Sequence, residues 1–437
     1  MIILRRIFLG LIGLLLALSL AMNVLASTPR IDVITVKGAI NPVLTDYIDR
    51  SIERAEDTGA SMIVVQMDTP GGLDTAMRDI IQKITNARIP VVVYVSPSGA
   101  RAASAGMYIT LSAHVAVMAP NTAIGAATPV QMGEGQQVSD EMKAKIINDA
   151  AAYARSLADA HGRNSEWAER AVREGVSITD MEALELNVID MIAPDITTML
   201  AQLDGREVTM LAGNVITLDT TDAVINYTEM TLIEDFLYTI ADPNIAYLLL
   251  SLATLGIMVE VFSPGLIFPG VVGGISLLLA FYALGVLPVN WAGVLLIVLA
   301  FILFVAEVFT TTFGLLTAGG IISLVIGSLI LFQGASPVFR INPWLIATVT
   351  IIITATFGFV MNRAISAHRK QAKTGREELV GKTAVVREVL NPEGTVFYKG
   401  ELWAAVSESG RVEPRKEVVI TRVDGLRLFV MKKEERG

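Results

Sequence analysis

Ile63-Val64-Val65-Gln66-Met67 runs directly into Asp68-Thr69-Pro70-Gly71-Gly72, and the apolar run Ile89 to Val95 leads to Pro97-Ser98-Gly99-Ala100-Arg101-Ala102-Ala103-Ser104-Ala105-Gly106. Each half reads as a strand that ends in a glycine-rich turn, with a helix to follow. Two such turns side by side place backbone N–H groups next to an exposed serine. Amide donors aimed at a developing oxyanion beside a hydroxyl nucleophile are what acyl transfer requires. Downstream, Lys143 and Lys145 lie at the start of a long helical pattern.

The flanking sequence extends the alternation. Ile31 to Val36 reads as a strand, and Asn41-Pro42 opens a helix carrying Leu44, Ile48 and Ile52. Val115 to Met118 is another strand, Ala123 to Val130 a loop of small residues, and Ser139 to His161 a helical stretch. Strands alternating with helices predict parallel pairing in an α/β domain, assigned to residues 27–240. Within it, Glu207 to Met210 and Asn214 to Leu218 predict a hairpin around Ala212-Gly213, and Met230 to Ile240 an amphipathic helix leading to a membrane.

Of 437 residues, 53% are apolar and 18% charged, which points to membrane segments. A net charge of -9 gives no footprint for nucleic acid. The absence of cysteine excludes disulfides, Cys nucleophiles and thiolate metal sites. With three histidines and no Walker-type loop, neither a metal nor another cofactor is expected.

Residues 1–26 read as an export signal: Arg5 and Arg6, an apolar run from Ile7 to Leu20, and Val24-Leu25-Ala26 before a cleavage point at Ser27. An uncleaved anchor is the alternative. Residues 243–362 contain about five apolar spans, near 244–262, 265–287, 291–310, 313–333 and 343–362, each about long enough for a ~30 Å hydrocarbon core. Arg363, His368, Arg369, Lys370, Lys373 and Arg376 follow the last span and predict a cytoplasmic end there. Five crossings then put the first domain outside, in an inner or cell membrane, in agreement with the export signal. An internal echo joins Glu260-Val261-Phe262, ahead of Gly273-Gly274, to Glu307-Val308-Phe309, ahead of Gly319-Gly320. The two glutamates, near span ends, are expected to reach headgroup water. Residues 363–437 form a linker and about five short strands, which suit a small OB-type barrel. It lacks an aromatic and basic stripe, so no nucleic-acid partner is expected.

The base is less legible. His114 lies at the far end of the helix that Ser104 begins, roughly 15 Å from the serine. His161 and His368 are more remote in the chain. A lysine held neutral by burial can replace histidine. Spacing alone leaves Lys143 and Lys145 open between that role and ordinary surface positions.

Asp68-Thr69-Pro70-Gly71-Gly72, Ala102-Ala103-Ser104-Ala105-Gly106, Gly125-Ala126 and the segment Ile178 to Asp190 resemble the Clp protease and signal peptide peptidase A superfamily, which has a crotonase-like fold. With the spans and the terminal barrel, the whole chain after residue 26 resembles the long form of the NfeD family, membrane-bound serine proteases associated with stomatin. The resemblance implies a Ser-Lys dyad, with Ser104 as nucleophile and Lys145 as general base. The residues themselves add that, if the two turns are adjacent, the Gly72 and Ala105 amides form an oxyanion hole, and Gly71 admits the substrate backbone. Clp proteases use a histidine, and the corresponding region, Ile124 to Pro129, has none. Cleavage of apolar peptide segments, a stomatin-like membrane partner, lipid contact and homo-oligomerisation are further implications. The rivals are an inactive scaffold that binds stomatin-like proteins and, less compatible with export, a crotonase-like acyl-CoA enzyme.

Overall fold

The computed structural model describes residues 28–129, 139–211, 213–262, 265, 267–310, 312, 314–332, 337–369 and 376–433, without the side chains of 360–377. The expected export signal, Val130 and Ala212 lie outside the described residues. The chain divides into two compact units, Met1–Ile352 and Ile353–Gly437.

The first unit is built on a parallel sheet. Its strands in chain order are β1 (Arg30–Lys37), β2 (Met62–Asp68), β3 (Val91–Val95), β5 (Val115–Met118), β8 (Met191–Ile192) and β11 (Val224–Tyr227), and their spatial order is β11-β1-β2-β3-β5-β8. β3 and β5 are buried along their whole length, as expected of a sheet covered on both faces. One face packs on helices α1 (Pro42–Asp57), α2 (Asp74–Thr85), α3 (Ala105–Ser112), α4 (Asp140–Ala160) and α5 (Ser165–Arg173). Asn41 starts α1 by accepting from the Leu44 amide at 3.0 Å, and Pro42 occupies the first turn, where its missing N–H costs nothing. The opposite face carries α7 (Ile196–Leu203) and the hairpin β9 (Glu207–Thr209) with β10 (Val215–Thr217), which is antiparallel as expected. Between these come the short helix α6 (Asp180–Glu185) and a second small sheet. That sheet holds β4 (Arg101–Ala103), β6 (Ala123–Gly125) and β7 (Ser177–Thr179) in the order β4-β6-β7.

One expectation is corrected, and one strand lies where none was read. Ala123 to Gly125 is a strand rather than a loop, because its backbone pairs with both β4 and β7. Residues 224–227 belong to the main sheet, where β11 runs parallel to β1 with Asp32 opposite Asn226. No local pattern announces that long-range pairing.

After α8 (Leu232–Ile240) come five apolar helices: α9 (Pro243–Phe262), α10 (Ile267–Val286), α11 (Trp291–Phe309), α12 (Leu315–Ile330) and α13 (Pro343–Arg369). The first three are long and apolar enough to cross a membrane; α12 and Pro343–Phe359 of α13 are shorter apolar segments. The echo is structural. Gly273 of α10 lies against the Ala253 carbonyl of α9, and Gly320 of α12 against the Ala300 carbonyl of α11. These are counterparts at the spacing that separates Glu260 from Glu307, so two copies of one hairpin follow each other. A side chain at either glycine would collide with the facing helix. Glu307 does not reach outward. It is buried, and its carboxylate accepts from the Gly314 and Thr317 amides at 2.8 and 3.0 Å, capping α12. Its counterpart Glu260 packs against Gly270 with one oxygen buried and without a hydrogen-bond partner among the described residues.

The second unit contains a closed barrel of β12 (Thr383–Val386), β13 (Glu393–Tyr398), β14 (Glu401–Ser407), β15 (Glu417–Asp424) and β16 (Arg427–Lys432), in the order β12-β13-β14-β16-β15. Ala384, Val386, Val396, Ala405, Val418, Ile420, Leu428 and Val430 fill it, at alternate positions along their strands. The first of these strands starts at Thr383, behind a 3-10 turn over Arg376–Leu379.

Candidate active site

Ser104 stands between β4 and α3 at φ 51° and ψ -114°. A β-carbon at positive φ is strained, and such strain persists only where surrounding contacts hold it. Here the Ser104 amide donates to the Gly125 carbonyl at 2.9 Å, and the Met107 amide returns to the Ser104 carbonyl at 3.0 Å. The hydroxyl is left without a partner among the described residues and projects from a sharp strand-to-helix elbow. An unengaged hydroxyl at an elbow is free to approach a substrate carbonyl.

The second turn does come alongside, as the sequence requires. The Ala103 amide donates to the Thr69 carbonyl at 3.1 Å, and the Thr69 amide to the Arg101 carbonyl at 2.8 Å. Gly71 has φ +116°, and a β-carbon there would lie 2.8 Å from Ser104 Cβ and 3.3 Å from its Oγ. Position 71 must be glycine for the serine to be accessible. Gly72 cannot carry a side chain either, since the Ile40 backbone fills that space. Ile40 also bridges the turn by donating to the Gly71 carbonyl and accepting from the Leu73 amide, both at 2.9 Å. The Gly72 amide keeps no acceptor among the described residues. Ala105 opens α3, where the first N–H groups lack intrahelical acceptors.

Thr69 was not among the sequence candidates. It is fully buried, and its hydroxyl accepts from the Gly71 amide at 3.0 Å and donates to the Gly71 carbonyl at 3.1 Å. That closed ring sets the turn against Ser104. The visible signal was a threonine two residues ahead of glycine, a side-chain turn pattern too common to single out.

Lys145 lies on the exposed first turns of α4, whose buried positions begin at Ala150. The burial expected of it is therefore not present in the single chain, because that end of α4 extends beyond the core. No hydrogen bond joins it to Ser104 among the described residues. Asp149, one turn on and on the same face, pairs with Arg78 of α2 at 2.9 Å, and Arg78 lies 4.5 Å from the centre of the Tyr153 ring. The Tyr108 hydroxyl of α3 donates to the Ala150 carbonyl at 3.2 Å. These contacts tie α4 to α2 and α3 one turn beyond Lys145. Lys143 points to another side, 4.0 Å from Asp140.

Among the described side chains, His114 and His161 stand apart from Ser104 and engage each other. His114 accepts from the Val91 amide through Nδ1 at 3.2 Å, and its ring meets His161 edge-on at 6.0 Å. Burial first, then Arg163, pushes His114 down to about 4, and the same two causes with His114 bring His161 to about 4. Both are neutral in the folded domain at neutral pH. The unfolded chain takes up protons near pH 6.5, so this contribution to stability is complete above that value and is lost as pH falls toward 4. A falling thermal midpoint between pH 7 and 4.5 is expected, with a shallower slope in His161→Gln; an unchanged slope counts against the pair as its source.

Residues 30–199 match the family model described as NfeD1b, N-terminal domain, residues 244–363 the NfeD integral membrane domain, and residues 376–432 the NfeD-like C-terminal, partner-binding domain. The membrane-bound protease PH1510 of Pyrococcus horikoshii is 40% identical over 444 residues, covering 99% of each chain. The chain belongs to the NfeD family of membrane proteins. Membrane protein NfeD1b of Bacillus subtilis is 31% identical over 461 residues, 98% of each chain. Among solved structures, a lysine-to-alanine variant of the 1510-N membrane-bound stomatin-specific protease in complex with a substrate peptide is 36% identical, covering 49% of this chain and 98% of that one, with a TM-score of 0.46. The NfeD family member described here combines an N-terminal α/β domain on a parallel sheet, an apolar helical region and a five-stranded terminal barrel.

Proposed function

We propose that this protein is a membrane-anchored serine endopeptidase with Ser104 as nucleophile and Lys145 as general base. The observation that carries the reading is the strained serine elbow held against the Gly71-Gly72 turn, with amides on both sides of an unengaged hydroxyl. In this mechanism Lys145 takes the hydroxyl proton as Ser104 Oγ attacks the peptide carbonyl. The Gly72 and Ala105 amides stabilise the tetrahedral oxyanion. The protonated lysine then gives its proton to the leaving amine, and water releases the acyl group. Gly71 lets the substrate backbone pass close to the serine. A relative that is 40% identical from end to end and named a membrane-bound protease supports the same reaction. The substrate is an apolar peptide segment of a membrane-associated, stomatin-like protein, and the terminal barrel contacts such a partner. The domains follow the sequence boundaries: signal 1–26, protease 27–240, spans 243–362, linker and barrel 363–437. The protease is extracytoplasmic and the barrel cytoplasmic, as the basic residues after the last span imply.

A lysine works as a base only when stripped of water. Lys145 is exposed in one chain, so the mechanism needs bound peptide or a second protomer to cover the start of α4. The same exposure favours a second reading, a scaffold that binds stomatin-like proteins without cleaving them. Hydrolysis of an apolar peptide by the full-length protein, together with labelling by a fluorophosphonate, separates the two. The protease reading expects labelling at Ser104 that Lys145→Ala removes and Lys145→Arg does not restore. No labelling and no cleavage in the native chain would leave the scaffold.

A further inference from the structure

α8 is a surface helix turned inside out. Two of its polar side chains face the protein, while Asp235 and Thr239 are exposed: Glu234 pairs with Arg50 of α1 at 2.7 Å, and the Tyr238 hydroxyl donates to the Lys37 carbonyl at 2.8 Å. The opposite stripe is apolar and open, with Leu232 91%, Ile233 71% and Phe236 49% exposed. A helix that stands on a domain in water turns these faces the other way. The helix is well held, with a capping box between Thr231 and Glu234, so the outward stripe is its settled orientation.

The chain itself indicates what covers the stripe. Only Ala241 and Asp242 separate α8 from α9, which is long and apolar enough to cross a membrane. The entry level of that membrane is marked independently. Successive antiparallel helices bring the starts of α9, α11 and α13 to one end. There the Asn342 amide donates to Asn244 Oδ1 at 2.9 Å, and the Asn290 amide to the Leu331 carbonyl at 2.8 Å. Trp291 and Trp344, at the first turns of α11 and α13, are 67% and 83% exposed at this level, as in an interfacial aromatic belt. α8 reaches the same level.

We infer that α8 is an interfacial helix whose Leu232, Ile233 and Phe236 lie in the bilayer surface on the side of the first domain. It seats that domain on lipid. The Lys37 to Ile40 segment, which Tyr238 holds, also bridges Gly72 through Ile40. The docked helix therefore sets the Gly71-Gly72 turn and Ser104 close above the membrane, where a membrane-proximal peptide would pass. The placement rests on the spans and on α8, not on the protease reading.

The natural chain has no cysteine, so single labels are unambiguous. Ile233→Cys, Phe236→Cys and Asp235→Cys, each spin-labelled in the full-length protein in phosphatidylcholine/phosphatidylglycerol nanodiscs, report collisions with oxygen and with a water-soluble nickel chelate. Oxygen collisions several-fold in excess at 233 and 236, with the ratio reversed at 235, are expected. Nickel access at 233 and 236 overturns the inference in favour of a hydrated surface. Shielding from both reagents overturns it in favour of a protein partner, including a second copy of this chain. Peptide hydrolysis is read separately, so failure of the catalytic reading leaves this result intact.

Discussion

Ser104→Ala is expected to lower peptide hydrolysis by roughly four to six orders of magnitude, the range seen when a nucleophile is removed from a serine peptidase. The hydroxyl bonds to no described residue, so its loss strands no buried partner, and the elbow is held by backbone contacts of residue 104 that alanine retains. The thermal midpoint should therefore stay within the error of the measurement while fluorophosphonate labelling disappears. Loss of activity together with loss of fold would make position 104 structural. Full activity in Ser104→Ala would end the proposed mechanism outright. Lys145→Ala should fall almost as far, since the two groups act as a unit and their losses do not add.

Asp190→Ala carries the second large effect, on stability. Arg163 is buried, and one of its Nη atoms donates to Asp190 Oδ2 at 2.7 Å while the other donates to the Leu111 carbonyl at 2.7 Å. Arg206 reaches Asp190 Oδ1 at 2.5 Å, and the Ala116 amide reaches Oδ2 at 2.8 Å. Burial pushes the Asp190 carboxyl up, but Arg163, the Ala116 amide and Arg206 outweigh it and hold it below the ordinary carboxylate range. Truncation leaves the Arg163 charge buried and uncompensated, which costs about 3–5 kcal/mol. Thermal unfolding of the detergent-solubilised chain should show a drop of roughly 10 °C for a domain of this size. Asp190→Asn, which keeps hydrogen bonding without the charge, should fall between. The Asp190 contribution is complete above the unfolded carboxyl pKa and is lost as pH falls through the lower folded value. A change smaller than about 1 kcal/mol, within the spread of exposed ion pairs, would mean that water reaches Arg163.

Much of the molecule was legible along the chain because its signals are local. Asn41-Pro42 opens α1 through its own side chain and ring. Asp68 to Gly72 and Ala102 to Gly106 turn where they must because glycine and small residues permit those dihedrals. The apolar runs after Pro243 declare themselves by length, and alternating Val, Leu and Ala positions declare the barrel. Thr69 escaped notice because its role, clamping Gly71 against Ser104, depends on the meeting of two turns more than thirty residues apart. β11 escaped because only its partner β1 makes it part of the sheet. The role of Glu307 is equally hidden, because nothing in its sequence neighbourhood tells that the next helix begins beneath its carboxylate.

Residue order alone determined the alternation of strands and helices, the apolar spans, the five short terminal strands and the chemistry present, a serine and a lysine without a usable histidine. These follow from dihedral preference, side-chain period and hydropathy, which act over a few residues. Tertiary structure decided which faces look where. It brought Gly71 against Ser104, left Lys145 on an exposed turn of α4, and turned Leu232, Ile233 and Phe236 outward while Glu234 and Tyr238 face in. Those outcomes depend on contacts between distant segments, whose closure no short-range pattern encodes.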